Sequence, residues 1–239
     1  MREVDRSISP QTAPVSVNRW LEHVGMNRGK GKVRSPYNGD YGNATSRRRS
    51  MKNWVVLFAR TGSEEKLVQT LKEELDAKEC LLFVPKKEVP YRSKGVVYKV
   101  RKPLFPGYVF VQTGIEPGLI ADRLAKALRN VKDVYSILHY GDDKKDVVIR
   151  EGERLYWEHL FDADFCVVGS VGFIEGDAIR ITSGALVGLE GRIRKVNRHK
   201  REAIVEMEIM GARREVAVML EVVEKRWNSC VLCDGWQRN

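Results

Sequence analysis

From residue 53 onward the chain switches repeatedly between two hydrophobic periods, and each switch marks an element. "NWVVLFAR" (53–60) is a short apolar run rich in β-branched and aromatic residues, which predicts a buried strand. "GSEEKLVQTLKEELDAKE" follows with Leu67, Val68, Leu71 and Leu75 on one helical face, Ser63 as the expected N-cap, and Glu64 and Glu65 in the first turn. "LLFVPKKEVPYRSKGVVYKVRKPLF" predicts extended chain folding back between Ser93 and Gly95, and "GYVFVQT" predicts another strand. A second helix is expected over "EPGLIADRLAKAL", with Pro117 near its start and Ile120, Leu124, Ala127 and Leu128 turned to the core. "DVYSILHY" returns to strand. This order predicts a ferredoxin-like α+β sandwich with its helices on one face.

After Gly141 the pattern changes. "REGERLYWEHLF" (150–161) predicts a short helix, and the residues after it lose any clear period. Then "AIRITS", "EGRIRKV", "EAIVEMEIM", "RREVAVML" and "EVVE" follow in quick succession, punctuated by Gly176, Gly184, Gly188, Gly191 and Gly211. Short strands at that spacing predict a small five-stranded β-barrel. The expected organisation is an α+β domain over 51–162, a linker over 163–175, a barrel over 176–225 and an unassigned tail over 226–239.

Residues 1–50 have a different character. They carry ten Arg or Lys against four acids (Glu3, Asp5, Glu22 and Asp40), and Ser, Asn, Gly and Pro break every period. Too little apolar surface is present to offset ordering entropy, so this segment is expected to be a disordered basic extension. Met51 directly precedes the first strand.

Charge narrows the class of partner. The formal net charge of +10 favours an acidic partner such as nucleic acid. No run of 18 apolar residues is present for a membrane span, and the N-terminus has no apolar core of a signal peptide. The four cysteines (Cys80, Cys166, Cys230 and Cys233) have no framework spacing, which reads as a reduced, cytoplasmic protein. His23, His139, His159 and His199 lie in unrelated segments and complete no catalytic arrangement, so a non-enzymatic role is expected. "CVLC" has no second ligand pair for zinc, and the glycine-bearing stretches lack a P-loop lysine, so neither metal nor other cofactor is expected.

The densest charge lies inside the barrel region. "RIRKVNRHKR" (192–201) holds six Arg or Lys and no acid, yet Ile193 and Val196 within it have core character. Their three-residue spacing suggests a strand with a bulge, and Asn197 to Arg201 read as the turn leaving it. Taken by itself, such a run is a solvated face or a loose site for polyanions.

Two stretches resemble one family, in the family's order. "KPLFPGYVFVQ" (102–112) is similar to the signature strand of the NusG N-terminal domain. "GDAIRITSGALVGLEGRIRKV" (176–196) is similar to a KOW motif, with Gly191 at the motif's central glycine. The resemblance implies a monomeric transcription elongation factor whose N-terminal domain docks on the clamp helices of the largest RNA polymerase subunit. It assigns that contact to Phe58, Phe105, Pro106, Tyr108, Phe110 and Tyr140. Non-template DNA is a further partner it allows. Within the family, "WVVLFARTGSEEK", "VPKKEV", "FIEGD" and "VNRHKREAIVE" are most similar to LoaP-type antiterminators. That implies a KOW domain binding a hairpin in nascent leader RNA. The candidate RNA-binding positions are Arg192, Arg194, Lys195, Asn197, Arg198, His199, Lys200 and Arg201, extended by Arg213 and Arg214. A general NusG factor and a ribosomal KOW-type RNA-binding protein are the alternatives.

Overall fold

A computed structural model describes residues 51–223 of the 239-residue chain. The expected extension over 1–50 and the tail carrying Cys230 and Cys233 lie outside the described residues. Strand β1 (Asn53–Ala59) leads into helix α1 (Glu64–Glu74), then β2 (Cys80–Phe83) and a long hairpin of β3 (Lys86–Ser93) and β4 (Val96–Pro103). Strand β5 (Tyr108–Thr113), helix α2 (Pro117–Leu128) and β6 (Val134–Ile137) complete the expected ferredoxin-like order. The strands align as β2-β5-β1-β6, every pair antiparallel.

Strand alternation separates the two faces of this sheet. On one face Val55, Leu57, Ala59, Val109 and Val111 pack with Leu67, Val68 and Leu71 of α1 and Ile120 and Leu124 of α2. On the other face Trp54 meets Phe83 and Phe110 edge to face, with ring centroids 5.7 and 6.2 Å away, and Phe83 lies tilted against Phe110 at 5.5 Å. Helix α3 (Glu151–Leu160) covers that second face. Its Trp157 is fully buried, 6.1 Å from the Phe110 ring and 5.6 Å from the Phe105 ring.

Ser63 stands at the N-cap of α1 as expected, but its side chain makes no cap hydrogen bond. The next residue does the work. Glu64 is buried, and its carboxylate accepts hydrogen bonds from the Gly62 and Gly107 backbone amides at 2.7 and 2.6 Å. This fastens the "FPGY" turn to the loop after β1. Gly107 itself has φ +85°, and a Cβ there would lie 2.7 Å from the Ala59 carbonyl oxygen, so the turn requires glycine.

The second domain is a curled five-stranded sheet, as expected, ordered β10-β11-β12-β8-β9. Its strands are β8 (Ser170–Glu175), β9 (Ala178–Ser183), β10 (Ile193–Asn197), β11 (Glu202–Ile209) and β12 (Ala212–Val222). Two details differ from the sequence expectation. "EVVE" is no separate strand, because β12 runs on through Val222. The fifth strand is β8, within the expected linker, and it pairs parallel with Leu220–Val222 of β12. A two-residue strand, β7 (Cys166–Val167), also lies in that linker and pairs with β3. The expected bulge is present: the β10–β11 register shifts between Ile193 and Lys195.

All described residues fall within one compact unit, and the two domains meet through α3 and the hairpin strand β3, which belongs to a third, small sheet ordered β4-β3-β7. Lys87 of β3 donates to the Ala217 carbonyl of β12 at 2.7 Å, and the Gly169 amide donates to Glu88 at 2.7 Å. The Met210 amide, in the turn between β11 and β12, donates to Glu153 of α3 at 2.8 Å.

Candidate nucleic-acid interface and aromatic face

The turn joining β10 to β11 is built by its own side chain. Asn197 Oδ1 accepts from the Lys200 amide at 3.0 Å, and the Arg201 amide donates to the Arg198 carbonyl at 3.2 Å. Arg201 closes the turn at φ +53°, and its carbonyl accepts from the Leu220 amide at 3.0 Å. Asn197 is thus the clasp of the turn, a use for which Asn is suited. Arg198, His199 and Lys200 are exposed on it, and none of the three joins an ion pair among the described residues. Lys195 is also exposed.

The remaining cations have protein partners. Arg201 lies 3.4 Å from Glu221. Arg194 and Arg213 flank one carboxylate, Glu206, at 2.8 and 3.9 Å. Arg192 sits over the Tyr156 ring of α3, 5.1 Å from its centroid. Arg213 and Arg214 do not extend the basic turn. They follow the Met210–Gly211 turn, at the opposite end of β11, which at ~3.3 Å per residue lies about 25 Å away.

The aromatic positions form a row across the first sheet. Tyr135, Phe58, Tyr108 and Phe105 succeed one another with centroid separations of 5.4, 5.4 and 5.7 Å. The register sets Phe58 opposite Tyr108 and Val56 opposite Phe110, so Tyr108 and Phe110 share a face. Exposure grades along the row: Tyr135 is 63% exposed, Phe58 and Tyr108 are half-buried, and Phe105 and Phe110 are buried in the α3-covered core. Pro106 is exposed beside them. Tyr135 was absent from the residues singled out in the sequence. Its signal was an aromatic at an outward position of a short edge strand.

Tyr140 belongs to a different cluster. Its hydroxyl donates to Glu153 at 2.7 Å and accepts from the Arg150 amide at 3.1 Å, with the Arg150 guanidinium 4.4 Å from the ring centroid. A Cβ on Gly211 would lie 3.7 Å from the Tyr140 ring. Burial and the neighbouring carboxylate raise the Tyr140 phenol well above its ordinary range, and burial raises the Glu153 carboxyl. Tyr140 therefore faces the second domain. Arg214 reaches the row itself, donating to the Tyr108 hydroxyl at 3.4 Å.

Cys80 and Cys166 are buried free thiols, and burial pushes Cys166 up to about 11. Among the described residues no group of three or more His, Cys, Asp and Glu is placed to hold a metal. No described helix is long and apolar enough to cross a membrane.

The fold and the "FPGY" turn define the first domain as a NusG N-terminal domain: the family described as "NusG: Transcription termination factor nusG" matches residues 52–155. This places that domain in the NusG family, joined here to a curled five-stranded sheet. The match to whole proteins runs further along the chain. A "Transcription termination/antitermination protein NusG" from Pasteurella multocida is 27% identical over 180 residues, covering 73% of this chain and 95% of the relative. Its namesake from Thermus thermophilus is 26% identical, covering 70% and 94%. That of Streptococcus pyogenes serotype M1 is 25% identical, covering 65% and 87%.

Proposed function

We propose that this chain is a specialised antitermination factor that rides on RNA polymerase and is recruited by a structured nascent RNA. The NusG domain supports a transcription factor of the termination and antitermination kind. The single observation that carries the finer reading is the β10–β11 turn, a clasped loop presenting Arg198, His199 and Lys200 with no acid paired to them among the described residues. A rigid cationic turn suits the dense phosphates of folded RNA, and the histidine adds a ring for an unpaired base. Polymerase contact falls to the open end of the aromatic row, Tyr135, Phe58 and Tyr108, because Phe105 and Phe110 lie in the core. The NusG domain also speaks against a ribosomal protein, which has no use for it.

The test is selective binding to a pool of short randomised RNA hairpins by the full chain. An Arg198→Gln/Lys200→Gln variant is expected to bind selected hairpins more weakly. Its slope of log affinity against log salt should flatten by about 1.5, at 0.7–0.9 per phosphate contact. Polymerase binding should persist. No selectivity among hairpins, or an unchanged slope, would leave a general NusG-type factor.

A further inference from the structure

Beyond Lys87, which meets β12, the β3–β4 hairpin has a face that the other described residues leave open. Its turn is a two-residue loop in which Lys94 and Gly95 both have positive φ (49° and 80°), the geometry that matches strand twist. The register sets Tyr91 directly opposite Tyr98, Val89 opposite Val100 and Lys87 opposite Lys102. These residues share one face, since alternate positions point the same way. The face is open: Tyr91 is 56% exposed, Tyr98 51% and Val96 52%.

Charge surrounds this aromatic pair. Residues 86–103 contain seven Lys or Arg and a single acid, Glu88. Glu88 is engaged by Lys99 at 3.2 Å and by the Gly169 amide, and Arg101 is held by Asp164 at 3.0 Å. Lys94, in the turn, and Lys102, on the aromatic face, join no ion pair among the described residues, whereas Arg92 alternates to the opposite face. Two open rings bordered by unpaired cations fit bases that stack and a backbone that is anionic. A duplex offers its base faces to nothing outside the stack, so the ligand this surface fits is single-stranded.

The position of the hairpin selects the strand. Lys87, at its base, bonds Ala217, whose register partner on β11 is Ile204. Glu202, which begins β11 directly after the basic turn, acts electrostatically on the same Lys87 ammonium. The hairpin base and the basic turn are therefore neighbours, fixed across the contact between the sheets. We infer that the β3–β4 hairpin holds the single-stranded RNA flanking the structured element, with Tyr91 and Tyr98 stacking on bases and Lys94 and Lys102 meeting phosphates. This rests on the RNA-recruited reading above, and it adds a second, strand-specific contact on the NusG domain.

The experiment uses the full chain and three labelled probes: a blunt RNA hairpin selected as above, and oligouridylate and oligothymidylate, each of about 12 nucleotides, within the usual span of such sites. Tyr91→Ala/Tyr98→Ala is expected to weaken oligouridylate binding about tenfold, the scale of lost base stacking, while blunt-hairpin affinity stays unchanged. Tyr91→Phe/Tyr98→Phe should retain most of the affinity. If hairpins bind selectively but the alanine pair leaves oligouridylate affinity unmoved, this inference is overturned and the antiterminator reading stands. If no hairpin is selected yet the alanine pair loses oligouridylate, that reading fails and the strand surface remains. Tighter binding of oligothymidylate than oligouridylate overturns the assignment to RNA. Loss of polymerase affinity with unchanged RNA binding would make the hairpin a protein-docking face, and would overturn it too.

Discussion

At the scale of single residues, the chain puts charge where backbone amides need it. Glu64 is 4% exposed, and what compensates its burial is two amide donors from segments far apart in sequence. Glu64→Ala leaves both amides unsatisfied and should lower stability by about 2 kcal/mol, read by urea unfolding. Position-level legibility follows the same logic. The turn from Asn197 to Arg201 was readable because local backbone geometry dictates it. The role of Glu64 was not, because it depends on Gly107 arriving beside it, and first-turn acids usually face water. Arg213 and Arg214 follow the basic turn closely in sequence, but the eight residues of β11 carry them to its opposite end.

Among elements, α3 changes what the first sheet can be. A ferredoxin-like sheet with helices on one face leaves its other face open, yet here Trp157 and Phe161 cover Trp54 and Phe110. Trp157→Ala should cost about 3–5 kcal/mol, measured by chemical unfolding of the full chain. The helix was legible from its period. Its place on the sheet was not, since amphipathicity shows that a face is buried and not what buries it. β8 escaped notice for a related reason. Gly172 interrupts its pattern because a Cβ there would lie 2.4 Å from the Arg180 carbonyl oxygen, so close strand approach removed the alternation that announces a strand.

For the molecule as a whole, the two sheets share a titrating contact. Glu153 receives the Met210 amide and the Tyr140 hydroxyl, with Glu208 also acting on it and Arg150 stacked on Tyr140. Its carboxyl pKa is raised in the folded state, chiefly by burial, so between the ordinary and the raised value folding takes up a proton at this contact. The contact is strongest below the ordinary glutamate pKa of about 4.3 and weakens as pH rises through the raised value. The Met210 and Gly211 amide chemical shifts should follow that titration, and Glu153→Gln should abolish it. At the far end of the same domain, Phe58→Ala/Tyr135→Ala should weaken polymerase binding by about 1–3 kcal/mol in a direct binding assay, with hairpin RNA affinity unaffected.

The β3–β4 hairpin has one more consequence. β4 is the outer strand of the β4-β3-β7 sheet, so among the described residues one rim of its backbone is unpaired, and "VVYKV" within it is strongly β-forming. Such a rim is a template for another copy of itself, and what stands in the way is the cation at every second position from Lys99 through Arg101. These charges act as gatekeepers against fibrillar self-assembly. Lys99→Thr/Arg101→Thr should turn a dispersed protein into one that scatters light at micromolar concentration, and wild-type chain should drift the same way when salt screens the rim.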